Sequence, residues 1–173
     1  MNGLQMEKIM IRVVEELGFD CPKPREVWGE GCLYDAAREL AGKHLELNSK
    51  DGVLRRLVPT DDWGVLDRVY KVDVVVRQYT GELWGLQLTS NLEEITRKRC
   101  QLRGTQALRL GVGIVKTALV FIEPPGRTWG GLGLTSRSDY DQLEGCIYNL
   151  FEQVESDPAN LQLNHRLELG WLR

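Results

Sequence analysis

Histidine is nearly absent from this 173-residue chain: His44 and His165 are the only two. The four cysteines, Cys21, Cys32, Cys100 and Cys146, are widely scattered and form no CxxC pair. No Cys/His cluster therefore has zinc spacing, and neither histidine lies in a recognisable triad motif. The start of the chain has no basic stretch followed by an apolar run, so no secretory signal is expected and the cysteines read as reduced core thiols. The longest apolar runs, such as Val74–Val76 and Ala118–Ile122, are far too short to span a bilayer. Repeats and low-complexity linkers are also missing. Gly111-Val-Gly-Ile-Val-Lys-Thr117 lacks the spacing of a phosphate loop and leads into a strand instead of a helix.

What remains is ordinary globular composition, 42% apolar and 27% charged. The length suits one domain, spanning 1–173, with a core over 26–122. The helix 4–17 and the helix and tail 138–173 are additions to that core. A cytoplasmic protein is expected. The net charge is −3, but the charge is unevenly spread. Ile95 to Ile122 contains no Asp or Glu and holds Arg97, Lys98, Arg99, Arg103, Arg109 and Lys116. That segment carries +6 and the rest of the chain −9. Either it is a solvated helix face, or it attracts a polyanion, with Arg97, Lys98, Arg99 and Arg103 as the contacts.

Apolar spacing predicts an amphipathic helix over Leu4–Leu17, stopped by Gly18. A second helix is expected from Glu26 or Glu30 to His44. Val53–Val58 reads as a strand and Pro59–Gly64 as a polar loop. Strands follow over Val69–Gln78 and Glu82–Thr89. Ser90 and Asn91 ahead of Glu93 and Glu94 mark a helix start. That helix runs towards Leu110, with a break expected near Gly104. Lys116–Ile122 reads as a buried strand and Glu123–Arg137 as a Pro/Gly-rich loop. A last helix starts at Ser138, and the alternating tail after Pro158 reads as an edge strand. The order α-α-β-β-β-α-β-α predicts an α/β domain, a mixed central sheet flanked by helices.

The central hairpin is the most informative segment. A two-residue turn would set the apolar face of one strand beside the polar face of the other. A three-residue loop, Tyr79-Thr80-Gly81, pairs Val76 with Trp84, Val74 with Leu86 and Val72 with Leu88, and glycine suits its left-handed position. Asp73 then lies opposite Gln87, with Cβ atoms ~5 Å apart, and Thr89 is one step along the same face. A buried carboxylate needs a partner, a cation or a metal, and carboxylate and carbonyl oxygens suit hard cations such as Mg²⁺. Asp67, ahead of the hairpin, either joins this site or caps a loop.

The string Val72-Asp73-Val74-Val75-Val76, a short turn, then Leu83-Trp84-Gly85-Leu86-Gln87-Leu88-Thr89 resembles the PD-(D/E)xK nuclease superfamily. The resemblance covers roughly Glu26 to Ile122. It implies a restriction endonuclease-like core in αβββαβ order and a DNA substrate or partner. It also implies Mg²⁺ or Mn²⁺ held by Asp73, Gln87 and the backbone oxygen of Leu88, with Glu30 on an upstream helix holding an outer water. Phosphodiester hydrolysis and a homodimer are its further implications, and no membrane is involved. Two positions depart from the pattern. Gln87 stands where the usual acid would be, and Thr89 replaces the lysine that helps to activate water. Lys71, Lys98 and Arg99 are the nearest substitutes. Arg99 is favoured, because Arg99, Arg103 and Gln106 share a helical stripe with Leu92 and Ile95, unless a kink before Gly104 leaves them solvated. Two functions follow: a divergent nuclease with Asp73, Gln87, Thr89, Glu30 and Arg99 in its site, or a decayed nuclease fold used to bind nucleic acid or protein.

Overall fold

The fold was analysed in a computed structural model. It describes residues 3–43, 54–122, 141, 144–145, 147–148, 151, 163–164 and 167–172. The expected loop 123–137 and most of the helix from Ser138 lie outside the described residues.

Helix α1 spans Gly3–Glu16. Its end is built by Gly18 (φ +89°), with Phe19 N–H donating to Val14 O and Gly18 N–H to Glu15 O. This is the pattern in which a left-handed glycine satisfies the last helical carbonyls. The expected second helix is two helices, α2 (Pro24–Trp28) and α3 (Cys32–Lys43). The chain breaks between them at Gly29 (φ +87°) and Gly31 (φ +73°), backbone conformations that suit glycine.

The expected strand at Val53–Val58 is not formed over its described part. Leu54 is helical and Leu57 N–H returns to Leu54 O, which makes a turn. The polar loop expected next contains helix α4 (Asp62–Val65), capped by the Asp61 carboxylate on Gly64 N–H, and a π-helical turn over Leu66–Tyr70 follows. Here helix-turn geometry wins over β-propensity, because Leu54, Leu57, Val65, Leu66, Val69 and Tyr70 all bury their side chains in one cluster. That burial outweighs a local preference for strand.

Lys71 then takes a left-handed conformation (φ 60°) and reverses the chain. Strand β1 therefore covers only Val74–Arg77, not Val69–Gln78. Strand β2 covers Leu83–Thr89. A 3₁₀ turn (Leu92–Glu94) leads into α5 (Ile95–Gly104) and α6 (Gln106–Gly111), so the break expected near Gly104 falls at Thr105. Strands β3 (Ile114–Ile122), β4 (Leu163–Asn164) and β5 (Leu167–Leu172) complete the sheet.

The sheet order is β1-β2-β3-β5-β4. β1 and β2 are antiparallel, β2 and β3 parallel, and β5 antiparallel to both β3 and β4. The tail strand β5 is thus interior, and β4 is the edge. Among the described residues two strands, where three were expected, precede the α5–α6 crossover. The class is the expected one, a mixed sheet flanked by helices.

Both faces of the sheet are covered over β1–β3. On one, Met6, Met10, Val13 and Val14 of α1 meet Val74, Val76, Trp84, Leu86, Leu88, Ala118 and Val120. Ile147 and Phe151, both helical, join this core. On the other, α3, α4, the π turn and α6 pack on Val75 and Ile114, and Ile95 and Leu102 of α5 pack on Leu119 and Phe121. One end of the outer edge of β1 is closed by an antiparallel bridge. Arg77 N–H donates to Asp20 O at 2.7 Å, Asp20 N–H to Arg77 O at 3.4 Å, and their side chains form an ion pair at 3.3 Å.

Arg109 of α6 ties these parts together. It is 2% exposed, and its guanidinium donates to Tyr70 O (3.0 Å), Thr105 Oγ1 (2.6 Å) and Leu102 O. Leu102 lies in the last turn of α5, and Tyr70 ends the π turn. The buried cation therefore sits where two helical segments present the negative ends of their dipoles, and it needs no carboxylate for this. Burial lowers its pKa, but the group stays charged at neutral pH.

Candidate functional site: a carboxylate and an amide at the open end of the hairpin

The hairpin register is the expected one. Val74 pairs with Leu86 and Val76 with Trp84. The loop is Tyr79-Thr80-Gly81, closed by Gln78 N–H to Glu82 O and Gly81 N–H to Gln78 O, both 2.8 Å, with Gly81 at φ +89°. The register departs at its open end. Val72 was expected beside Val74, opposite Leu88. Instead the chain bends at Asp73, Val72 N–H is drawn to Leu66 O (3.3 Å), and Val72 packs into the core on the opposite face.

That bend places the Asp73 carboxylate across the end of β2. Its Oδ2 accepts from Gln87 Nε2 at 2.9 Å and from Leu88 N–H at 2.6 Å. Asp73 and Gln87 thus converge as the register requires. Thr89 is buried, and its Oγ1 accepts from Asn91 N–H at 3.3 Å, which helps to start the next helix. Lys98 of α5 donates its ammonium to the carbonyl of Leu88 at 2.6 Å. It is one of the three cations that could stand in for the lost lysine, and it is bonded to the hairpin backbone. Arg99 is half-buried on the same helix, and Lys71 is half-buried two residues before Asp73 in sequence.

Charge around Asp73 is dense and mixed. Burial raises its pKa most, and the negative charges of Asp67 and Glu7 raise it further. The Leu88 N–H bond and the Lys98 ammonium oppose them, and the result is about 7. Lys71 is lowered, chiefly by burial, with Arg97 and Lys98 pushing the same way and Asp67 and Asp73 opposing. The charges of Asp67, Glu7 and Lys98 thus act on Asp73, and those of Asp67, Arg97, Lys98 and Asp73 on Lys71. Among the described residues no cationic side chain pairs directly with Asp73.

Glu30 is not among these charges. It is exposed between α2 and α3, in an ion pair with Arg25 at 2.7 Å, and Arg25 also reaches Asp62 at 3.5 Å. The helix acid that does act on Asp73 is Glu7 of α1, whose own pKa is raised by burial and then by Asp67. It is half-buried, and the sequence reading passed over it. The signal was present, because Glu7 stands three and seven residues before Met10 and Val14, on the flank of the apolar stripe.

The donor types suit a hard divalent cation, but their placement does not. Gln87 turns its amide nitrogen to the carboxylate, and the Leu88 carbonyl already accepts an ammonium. Among the described residues no three His, Cys, Asp or Glu side chains are grouped to hold a metal ion.

Of the basic residues on α5, Arg97 and Arg103 are exposed. Arg97 pairs with Glu94 at 2.8 Å, an exposed contact worth little (~0–1 kcal/mol) that a phosphate can replace. No helix among the described residues is long and apolar enough to cross a membrane. Fold and site together define an α/β protein with a carboxylate–amide pair beside a basic helix. Compared with known proteins, the chain matches no family model, no curated protein and no solved structure.

Proposed function

We propose that this chain binds DNA on the α5 face, using a restriction endonuclease-like core whose hairpin site is closed by its own side chains. The observation that carries the reading is the absence of any carboxylate from Ile95 to Ile122, with Arg97 and Arg103 exposed on the helix that leaves the hairpin. A polyanion approaching that helix meets no acid from the segment itself. The antiparallel hairpin, crossover helices and parallel β3 support the core, as does the convergence of Asp73 with Gln87. Of the two functions that the resemblance implies, binding is favoured over Mg²⁺-dependent hydrolysis. Hydrolysis needs the oxygens that Lys98 and the Gln87–Asp73 hydrogen bond now engage.

The test is fluorescence anisotropy with labelled double- and single-stranded DNA over a salt series. A parallel cleavage assay uses Mg²⁺ and Mn²⁺, with Asp73→Ala beside the wild type. Binding should weaken steeply with salt. An Arg97→Ser/Arg103→Ser variant should reduce the log–log salt slope by about 1–2, since each neutralised phosphate contributes ~0.9. No binding at low salt, or binding indifferent to the double variant, overturns the assignment to α5. Cleavage that disappears with Asp73→Ala overturns the closed site.

A further inference from the structure

We infer that Lys98 is the resident cation of the Asp73 site and that its ammonium keeps divalent metal ions out. The inference rests on reading the Asp73–Gln87 hairpin as a nuclease-like site, and it concerns what that site binds.

Three features of the geometry point to it. The Lys98 ammonium is 2.6 Å from Leu88 O, the backbone oxygen that would serve as a metal ligand. A divalent ion on the same carbonyl would stand within a few ångströms of a like charge, where repulsion is strong. The amide of Leu88 meanwhile donates to Asp73 Oδ2 at 2.6 Å, so a single residue links the ammonium to the carboxylate through its two backbone groups. Gln87 points its N–H donor at the same oxygen and does not present a carbonyl there.

It follows that removing the Lys98 charge should create metal affinity. Lys98→Met keeps the length and flexibility of the side chain and takes away its charge. The Leu88 carbonyl is then released. The experiment titrates Mn²⁺ into the full chain and follows free Mn²⁺ by its EPR signal. The variants are wild type, Lys98→Met, Lys98→Arg and Lys98→Met/Asp73→Asn, each checked for native circular dichroism. Lys98→Met should bind Mn²⁺ at least tenfold more tightly than wild type. Lys98→Arg should stay as weak as wild type, and Asp73→Asn should cancel the gain.

Equal or weaker binding by Lys98→Met overturns the inference, as does a gain that survives Asp73→Asn. Should Lys98→Met fold poorly, Lys98→Gln serves the same comparison. DNA affinity measured on the same samples separates the two readings. A metal gain without DNA binding retains the role of Lys98 and rejects the DNA assignment. DNA binding that depends on Arg97 and Arg103, with no metal gain, does the reverse.

Discussion

Replacing Arg109 with methionine should cost stability, even though it removes a buried charge. The guanidinium donates to three acceptors, and they do not suffer equally when it is lost. Thr105 Oγ1 keeps its own bond to Gln101 O (2.7 Å), and Leu102 O still accepts from Thr105 N–H (3.3 Å). Tyr70 O has no other partner among the described residues, so it becomes an unsatisfied buried acceptor, at ~1–3 kcal/mol. Loss of the two remaining charge-assisted bonds adds ~2–4 kcal/mol. Release of the buried charge returns a few kcal/mol. A net loss of about 2–4 kcal/mol remains, which lowers the melting temperature by roughly 5–12 °C for a chain of this size. Chemical denaturation of wild type, Arg109→Met and Arg109→Lys would measure it. Lysine should fall between the other two, since one ammonium cannot span all three acceptors. A methionine variant as stable as wild type would show that desolvating the guanidinium costs as much as the two helix ends return.

Gly85→Ala should destabilise the protein by ~1–3 kcal/mol, because a Cβ there would lie 2.8 Å from Val72 Cγ2 and 3.3 Å from Ile114 Cγ2, both in a packed core; a denaturation midpoint equal to wild type would contradict that packing. Burial, with Glu15 and Asp20 nearby, pushes the Cys21 thiol up to about 12. At pH 8 its thiolate fraction should be about a thousandfold below that of an ordinary thiol, so iodoacetamide should leave it unmodified while an ordinary thiol reacts; mass spectrometry showing prompt labelling of Cys21 would refute this. Cys21 and Tyr70 both have folded pKa values above their unfolded ones, so each favours folding at neutral pH. That contribution should disappear as pH rises above about 9–10, where the unfolded groups ionise first, and stability against urea should fall between pH 9 and 11.

The hairpin was legible because two constraints coincided. Alternating apolar faces allowed one register, and Gly81 supplied the left-handed loop position that this register needs. That register places Asp73 beside Gln87. The segment from Leu54 to Tyr70 was not legible. Its apolar residues are β-branched and aromatic enough to read as strand, and only packing against α3 and α6 makes them turns. Leu33 O, for example, accepts from the Tyr70 hydroxyl at 2.7 Å, a contact 37 residues away. The motif around Glu30 points to it as a site residue, yet Asp62 and Arg25 hold that loop by contacts the motif does not encode. Arg25 pairs with both Glu30 and Asp62, and Gly31 N–H donates to Asp62 Oδ1 at 2.9 Å. Lys98 stood among three candidate cations, and sequence spacing alone could not say which would reach the backbone of Leu88. A side chain with four rotatable bonds gives no periodic signal.

The Asp20–Arg77 bridge bears on how copies of the chain could associate. A border strand offers unpaired peptide groups that can template another chain. Here the template is cut short. β1 has four residues, the peptide groups of Arg77 are already taken by Asp20, and Val75 is 1% exposed beneath packed helices. An incoming strand would have to displace the segment after α1 before it could zip on. Growth of the sheet by strand addition at the hairpin border is thereby opposed.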